Sequence, residues 1–118
     1  MAESFEITWE KGQVEVPVLH LRGRLDAAGA KEMHEAVLHS LKIEGNTNLV
    51  IDLAGVEFVA STGLATFLLM TEEFFEVQGN LVFANATPTV MQVISLLNID
   101  QFLKLEDSVE AATGLIGV

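Results

Sequence analysis

The chain has 118 residues, 50% of them apolar, with a mean hydropathy of +0.41 and no cysteine. That length suits one domain with a real core, the apolar share argues against disorder, and the missing thiols exclude a disulfide scaffold, a thiol nucleophile and any thiolate metal site. With 17 acids against 6 bases the formal charge is −11, so nucleic-acid backbones and anionic membranes repel the chain while a basic protein partner is drawn to it.

The first residues, Met-Ala-Glu-Ser-Phe-Glu, carry two acids and no basic apolar leader, so no secretory signal is expected, and the lack of cysteine fits a cytoplasmic location. Residues 5–9 alternate, with Phe5, Ile7 and Trp9 apolar, as does a strand with one buried face. Lys11-Gly12 is a turn signal. Residues 14–21 alternate again, and the two segments read as an antiparallel pair. Pro17 argues that the second strand lies at or near an edge, because proline donates nothing to a ladder. Gly23-Arg24-Leu25-Asp26 then turns the chain. Asp26 suits the N-cap of a helix with Met33, Ala36, Val37, Ser40 and Leu41 on its inner face, and Gly45-Asn46 ends that helix.

Residues 49–53 are a short β-branched and apolar run, which reads as a buried strand. Ala54-Gly55, an apolar patch at Phe58-Val59 and then Ala60-Ser61-Thr62-Gly63 follow. From Leu64 the spacing becomes helical, with Leu64, Phe67, Leu68, Thr71, Phe74 and Phe75 on or near one face. Asp52 and Glu57 argue against a membrane span here, since a charge at the bilayer centre costs about 2.5–3.5 kcal/mol. Ser61 sits where a connection enters the helix. Its hydroxyl there is placed to cap free N–H groups of the first turn, and the same position suits a phosphate, because those groups and the helix dipole favour negative charge.

Residues 81–84 form another short strand. Thr87-Pro88 starts a helix, with Thr87 as cap, Val90, Val93, Ile94 and Leu97 as its apolar stripe, and Asn98 closing it. Residues 102–105 make the last strand, and Asp107 with Glu110 has capping-box spacing before a final helix over residues 109–115 that should fray. The order β-β-α-β-α-β-α-β-α implies a single α/β domain with a mixed sheet and a leading antiparallel hairpin.

Catalytic signals are weak. His34 and His39 lie five apart, off one helical face, and His20 stands in a strand, where a half-buried, hydrogen-bonded imidazole is the usual outcome. No Gly-x-Ser-x-Gly elbow surrounds Ser61, and no P-loop or dinucleotide pattern of glycines occurs. Neither an enzyme nor a metal or cofactor site is expected.

The apolar strand with Asp52-Leu53, the spacer with Phe58, and Ser61-Thr62-Gly63-Leu64 together resemble the STAS domain, in particular the anti-anti-sigma factors (anti-sigma factor antagonists). Gly23-Arg24-Leu25-Asp26 is similar to the family's Gly-x-Leu-Asp loop, Gly79-Asn-Leu-Val-Phe-Ala to its fourth-strand entry, and residues 88–105 to its helix, turn and last strand. The resemblance covers nearly the whole chain. It implies a bacterial protein that binds an anti-sigma factor, itself a serine kinase of GHKL type, and so frees a sigma factor. Phosphorylation of Ser61, with Thr62 as fallback acceptor inside the first turn and less accessible, would release the partner, and a phosphatase would reset it. The partner surface would comprise Gly23, Leu25, Asp26, Asp52, Ala60, Ser61, Thr62 and Gly63.

Two plainer readings stand beside these. Ser61 as a mere N-cap would contribute about 1 kcal/mol, and Asp26 could serve only to cap the first helix. Many members of the family carry Asp directly before the serine, where this chain has Ala60. That departure favours an alternative on the same fold, a non-phosphorylated accessory subunit of a lipid transporter or signalling complex. A STAS module that binds a small molecule in an apolar pocket is a third.

Overall fold

The apolar segments assemble into one mixed sheet in the computed structural model, which describes residues 5–11 and 16–116. In chain order the elements are β1 (Glu6–Lys11), β2 (Pro17–Leu25), α1 (Ala27–Leu38) running into a π-helical turn at His39–Ile43, β3 (Asn48–Val59), α2 (Ser61–Glu76), β4 (Asn80–Ala84), α3 (Pro88–Leu96), a 3-10 turn at Asp100–Phe102, β5 (Lys104–Glu106) and α4 (Val109–Ile116). The strands lie side by side as β1-β2-β3-β4-β5, with β1 antiparallel to β2 and every later pair parallel. Order and architecture match the α/β expectation.

Period-two alternation divides the strands between two faces. Leu19, Leu21 and Leu25 of β2, Leu49, Ile51 and Leu53 of β3, and Leu81 and Phe83 of β4 form the main core with Met33 and Val37 of α1, Phe67, Met70 and Phe74 of α2, and Val90 and Ile94 of α3. Phe67 and Phe83 hold α2 to β4 with ring centroids 4.6 Å apart, a tilted pair that contributes about 0.5–1.5 kcal/mol beyond burial. The opposite face carries Val16, Val18, Val50, Val82 and Ala84 under Ala112 of α4. Three helices cover one face and one short helix the other.

Several boundaries differ from expectation. β2 does lie near an edge, next to the edge strand β1, and tolerates Pro17 because it is the strand's first residue, opposite Lys11. Of the expected Lys11-Gly12 turn, Lys11 is instead the last residue of β1, while Gly12 and Val14 lie outside the described residues. Gly23-Arg24-Leu25 is not a turn but the end of β2, with Gly23 at φ +104°. β3 runs seven residues past Asp52 to Val59. Its register against β2 shifts twice, between His20 and Arg22 and between Gly23 and Arg24, each time with an extra residue on β3. Core-facing residues therefore follow as Leu49, Ile51, Leu53, Val56 and Val59, spaced by two and then by three, which is why the second half does not read as a strand.

Smaller corrections follow from local capping. β5 begins at Lys104, because Phe102 belongs to the 3-10 turn and is 62% exposed. α4 is capped by the Ser108 hydroxyl, which accepts from the Ala111 N–H at 3.0 Å, rather than by Asp107. Phe75 and Leu97, expected on inner faces, stand largely in solvent because they lie one residue round the helix from the buried Phe74 and past the end of α3.

Candidate functional site

The parallel strands deliver three helix starts to one end of the sheet. Leu25 and Val59 are the last register partners of β2 and β3, and the Ala60 N–H donates to the Leu25 carbonyl at 2.9 Å. Asp26 and Ser61 therefore leave neighbouring strand ends. Asp26 caps α1 as expected, its carboxylate accepting from the Gly29 N–H at 2.9 Å. Thr87 caps α3 through the Val90 N–H, and its hydroxyl lies 3.5 Å from the Val56 carbonyl, which brings that start to the same end.

α2 is the exception. Its N-cap is Ala60, which has no side chain able to accept a hydrogen bond, and Ser61 is the first helical residue rather than the cap. Ser61 is exposed, and among the described residues its hydroxyl makes no hydrogen bond. Thr62 is exposed as well. The first-turn N–H groups of α2 are left to solvent or to an added anion. Gly63 is buried: a Cβ there would meet Val59 Cγ1 at 2.9 Å and Leu25 Cγ at 3.2 Å, so this glycine, like Leu25 itself, serves the close packing of α2 on the sheet. On the other face of the same end, the Arg24 guanidinium lies 4.3 Å from the Phe58 ring centroid, an exposed pair contributing about 0.5–1 kcal/mol. Sequence reasoning missed that pair, since Arg24 and Phe58 become cross-strand partners only through the β3 bulges.

Asp52 does not join this group. It pairs with His20 in β2 and with Ala84, the last residue of β4, and the seven residues to Val59 put it roughly 20 Å from the end of β3 where α2 starts. There it accepts from the Ala54 N–H at 3.0 Å, the Asn85 amide at 3.0 Å and His20 Nδ1 at 2.6 Å, while His20 Nε2 reaches Glu10 at 2.5 Å. Burial opposes charge on both groups and is outweighed. Hydrogen bonds and negative charge from Glu10 and Asp52 raise His20 above the ordinary histidine value, and the Ala54 and Asn85 donors with His20 hold Asp52 below the ordinary carboxylate value. The His20 imidazole, hydrogen-bonded to a carboxylate at each ring nitrogen, ties β1 to β3 across β2. His34 likewise ties α1 to α2 through Glu73 at 2.9 Å.

A family model described as "Mlab, STAS domain" matches residues 10–106. The chain belongs to the STAS domain family. Among curated relatives, a Bordetella bronchiseptica protein carrying the name "Putative anti-sigma factor antagonist BtrV" is 30% identical to this STAS domain over 92 residues, 78% of each chain. Among solved structures, a Thermotoga maritima protein described as "a putative anti-sigma factor antagonist (tm1081)" superposes with TM-score 0.84 at 19% identity, covering 93% of each chain. Unphosphorylated Bacillus SpoIIAA gives 0.74 at 21% identity over 96% of this chain and 100% of its own. The fold also recurs within a larger protein: the murine anion transporter Slc26a9 matches at TM-score 0.73 and 18% identity over 86% of this chain and 17% of its own. No helix among the described residues is long and apolar enough to cross a membrane.

Proposed function

We propose that this STAS domain is an anti-sigma factor antagonist switched by phosphorylation of Ser61. Unphosphorylated, it binds an anti-sigma factor, a serine kinase of GHKL type, through the surface around Asp26, Ala60, Ser61 and Thr62, and thereby releases a sigma factor. The observation that carries the reading is Ser61 itself, exposed and unbonded at the only one of the three clustered helix starts without a side-chain cap. A phosphate there adds a charge of about −1.5 to −2 and three acceptors for the free N–H groups, so the fold survives while the docking surface gains negative charge and hydration. The partner then leaves, and a phosphatase resets the switch. Asp26 has a second task at that surface beside its cap. Asp52, set back from Ser61 along β3, is left out of that surface.

The test is a pull-down from the native cytosol with wild type, Ser61→Ala and Ser61→Asp, with mass spectrometry on the bait. A GHKL-type kinase retained by the first two and lost by Ser61→Asp supports the switch. Ala60, where many members of the family carry Asp, favours a second reading, a non-phosphorylated accessory subunit of a lipid transporter or signalling complex. The same transporter ATPase on all three baits would favour that reading, and either that result or no phosphate on Ser61 or Thr62 would sink the switch.

A further inference from the structure

The far end of α2 and the 3-10 turn expose apolar side chains of unusual size. Phe75 is 79% exposed and Phe102 62%, and together with Leu68, Thr71 and Glu72 they line one open groove of about 450 Å³. Leu96 and Leu97, five or six residues before Phe102, are 78% and 54% exposed. Scattered single apolar residues are ordinary on a surface, whereas a contiguous apolar groove marks a place where something docks.

The charged side chains on the groove's own two elements, α2 and the 3-10 turn, are all acidic; Lys104, two residues past Phe102, turns to Asn80 Oδ1, and His34 is engaged by Glu73. No Lys, Arg or His occurs between Lys42 and Lys104, while Glu72 lines the groove and the exposed Glu76 and Asp100 stand beside Phe75 and at the head of the 3-10 turn. An acidic rim disfavours two candidate occupants. A second copy would bring an equal rim and another −11 charge, and an anionic lipid surface would be repelled. A cationic occupant gains from the rim in both encounter rate and fit.

We propose that this groove docks a cationic amphipathic helix of another protein, its apolar stripe against Leu68, Phe75 and Phe102 and its Lys or Arg side chains beside Glu72, Glu76 and Asp100. The surface is separate from the Ser61 end, since the helix between Ser61 and Phe75 is roughly 21 Å long at 1.5 Å per residue. It holds whether or not Ser61 is phosphorylated.

The probe is a fluorescein-labelled synthetic peptide of Leu and Lys, about four helical turns long, with leucines on one helical face. Its control has the same composition with the leucines dispersed, so that net attraction to an acidic protein cancels. Fluorescence anisotropy should give at least roughly tenfold tighter binding of the patterned peptide, and Phe75→Ser with Phe102→Ser should erase that preference. Both rings stand mostly in solvent, so unchanged circular dichroism will certify the variants as folded. Glu72→Lys should weaken the patterned peptide and flatten its salt dependence. Equal binding of the two peptides, or a preference that survives the double variant, overturns the proposal. So does sedimentation showing dimers that Phe75→Ser abolishes, or flotation of wild type but not the double variant with phosphatidylglycerol vesicles.

Discussion

Ser61 contributes no hydrogen bond through its side chain, so its replacement separates function from folding cleanly. Ser61→Ala should leave stability within about 0.5 kcal/mol of wild type in urea unfolding. Asp26 differs, because its carboxylate closes the first turn of α1. Asp26→Ala should cost about 1 kcal/mol, while Asp26→Asn, which keeps an acceptor oxygen and loses the charge, should cost little. A destabilised Ser61→Ala would mean that the hydroxyl caps α2 after all. With these values known, any partner-binding defect of Asp26→Asn reports on the carboxylate's charge at the surface rather than on a broken helix.

Among the elements, those with one uninterrupted periodicity were legible in the sequence and those that change phase were not. α1 and α3 announced their starts through Asp26 and Thr87, and the alternation of β2 and the apolar run of β4 pointed to buried strands. β3 was seen only to Leu53, because two bulges convert its apolar spacing from two to three and hide the remaining strand in what resembles a loop. The same bulges carry Asp52 away from Asp26 and Ser61 and create the Arg24–Phe58 pair, so the part of the candidate site that depends on register could not be read. The cap of α2 was misread by one residue: a serine at a helix start looks the same at the cap and at the next position, and only backbone geometry distinguishes them. Close approach of α2 to β2 and β3 was also invisible, since it rests on Gly63 lacking a side chain. Gly63→Ala should therefore destabilise by about 1–3 kcal/mol by overpacking, with the thermal midpoint as readout. A variant as stable as wild type would mean that α2 shifts freely on the sheet.

For the whole molecule, the Glu10–His20–Asp52 bridge sets a pH dependence. His20, with its folded value raised, contributes stability that is fully present below its ordinary value of about 6.5 and is lost as pH rises through the folded value. Asp52, with its folded value lowered, contributes above the ordinary carboxylate value and loses that contribution as pH falls through its folded value. The bridge supports the fold best in mildly acidic solution, from about pH 4 to 6.5. Thermal midpoints of wild type should decline from the top of that window toward pH 9, and His20→Gln should remove the decline; parallel profiles for the two would place its origin elsewhere. The two faces of the sheet also differ in how firmly they are closed. One is held by three helices with large buried side chains, the other by eight residues of α4 that bury only Ala112 and Thr113, the latter with an unpaired hydroxyl. Native-state openings are thus unequal in free energy, and the smallest unit able to detach is α4. Its departure bares Val18, Val50 and Val82 as a flat strip while β3 and its neighbours stay paired, so the first step toward aggregation for this protein is an excursion of the folded state rather than unfolding of its core.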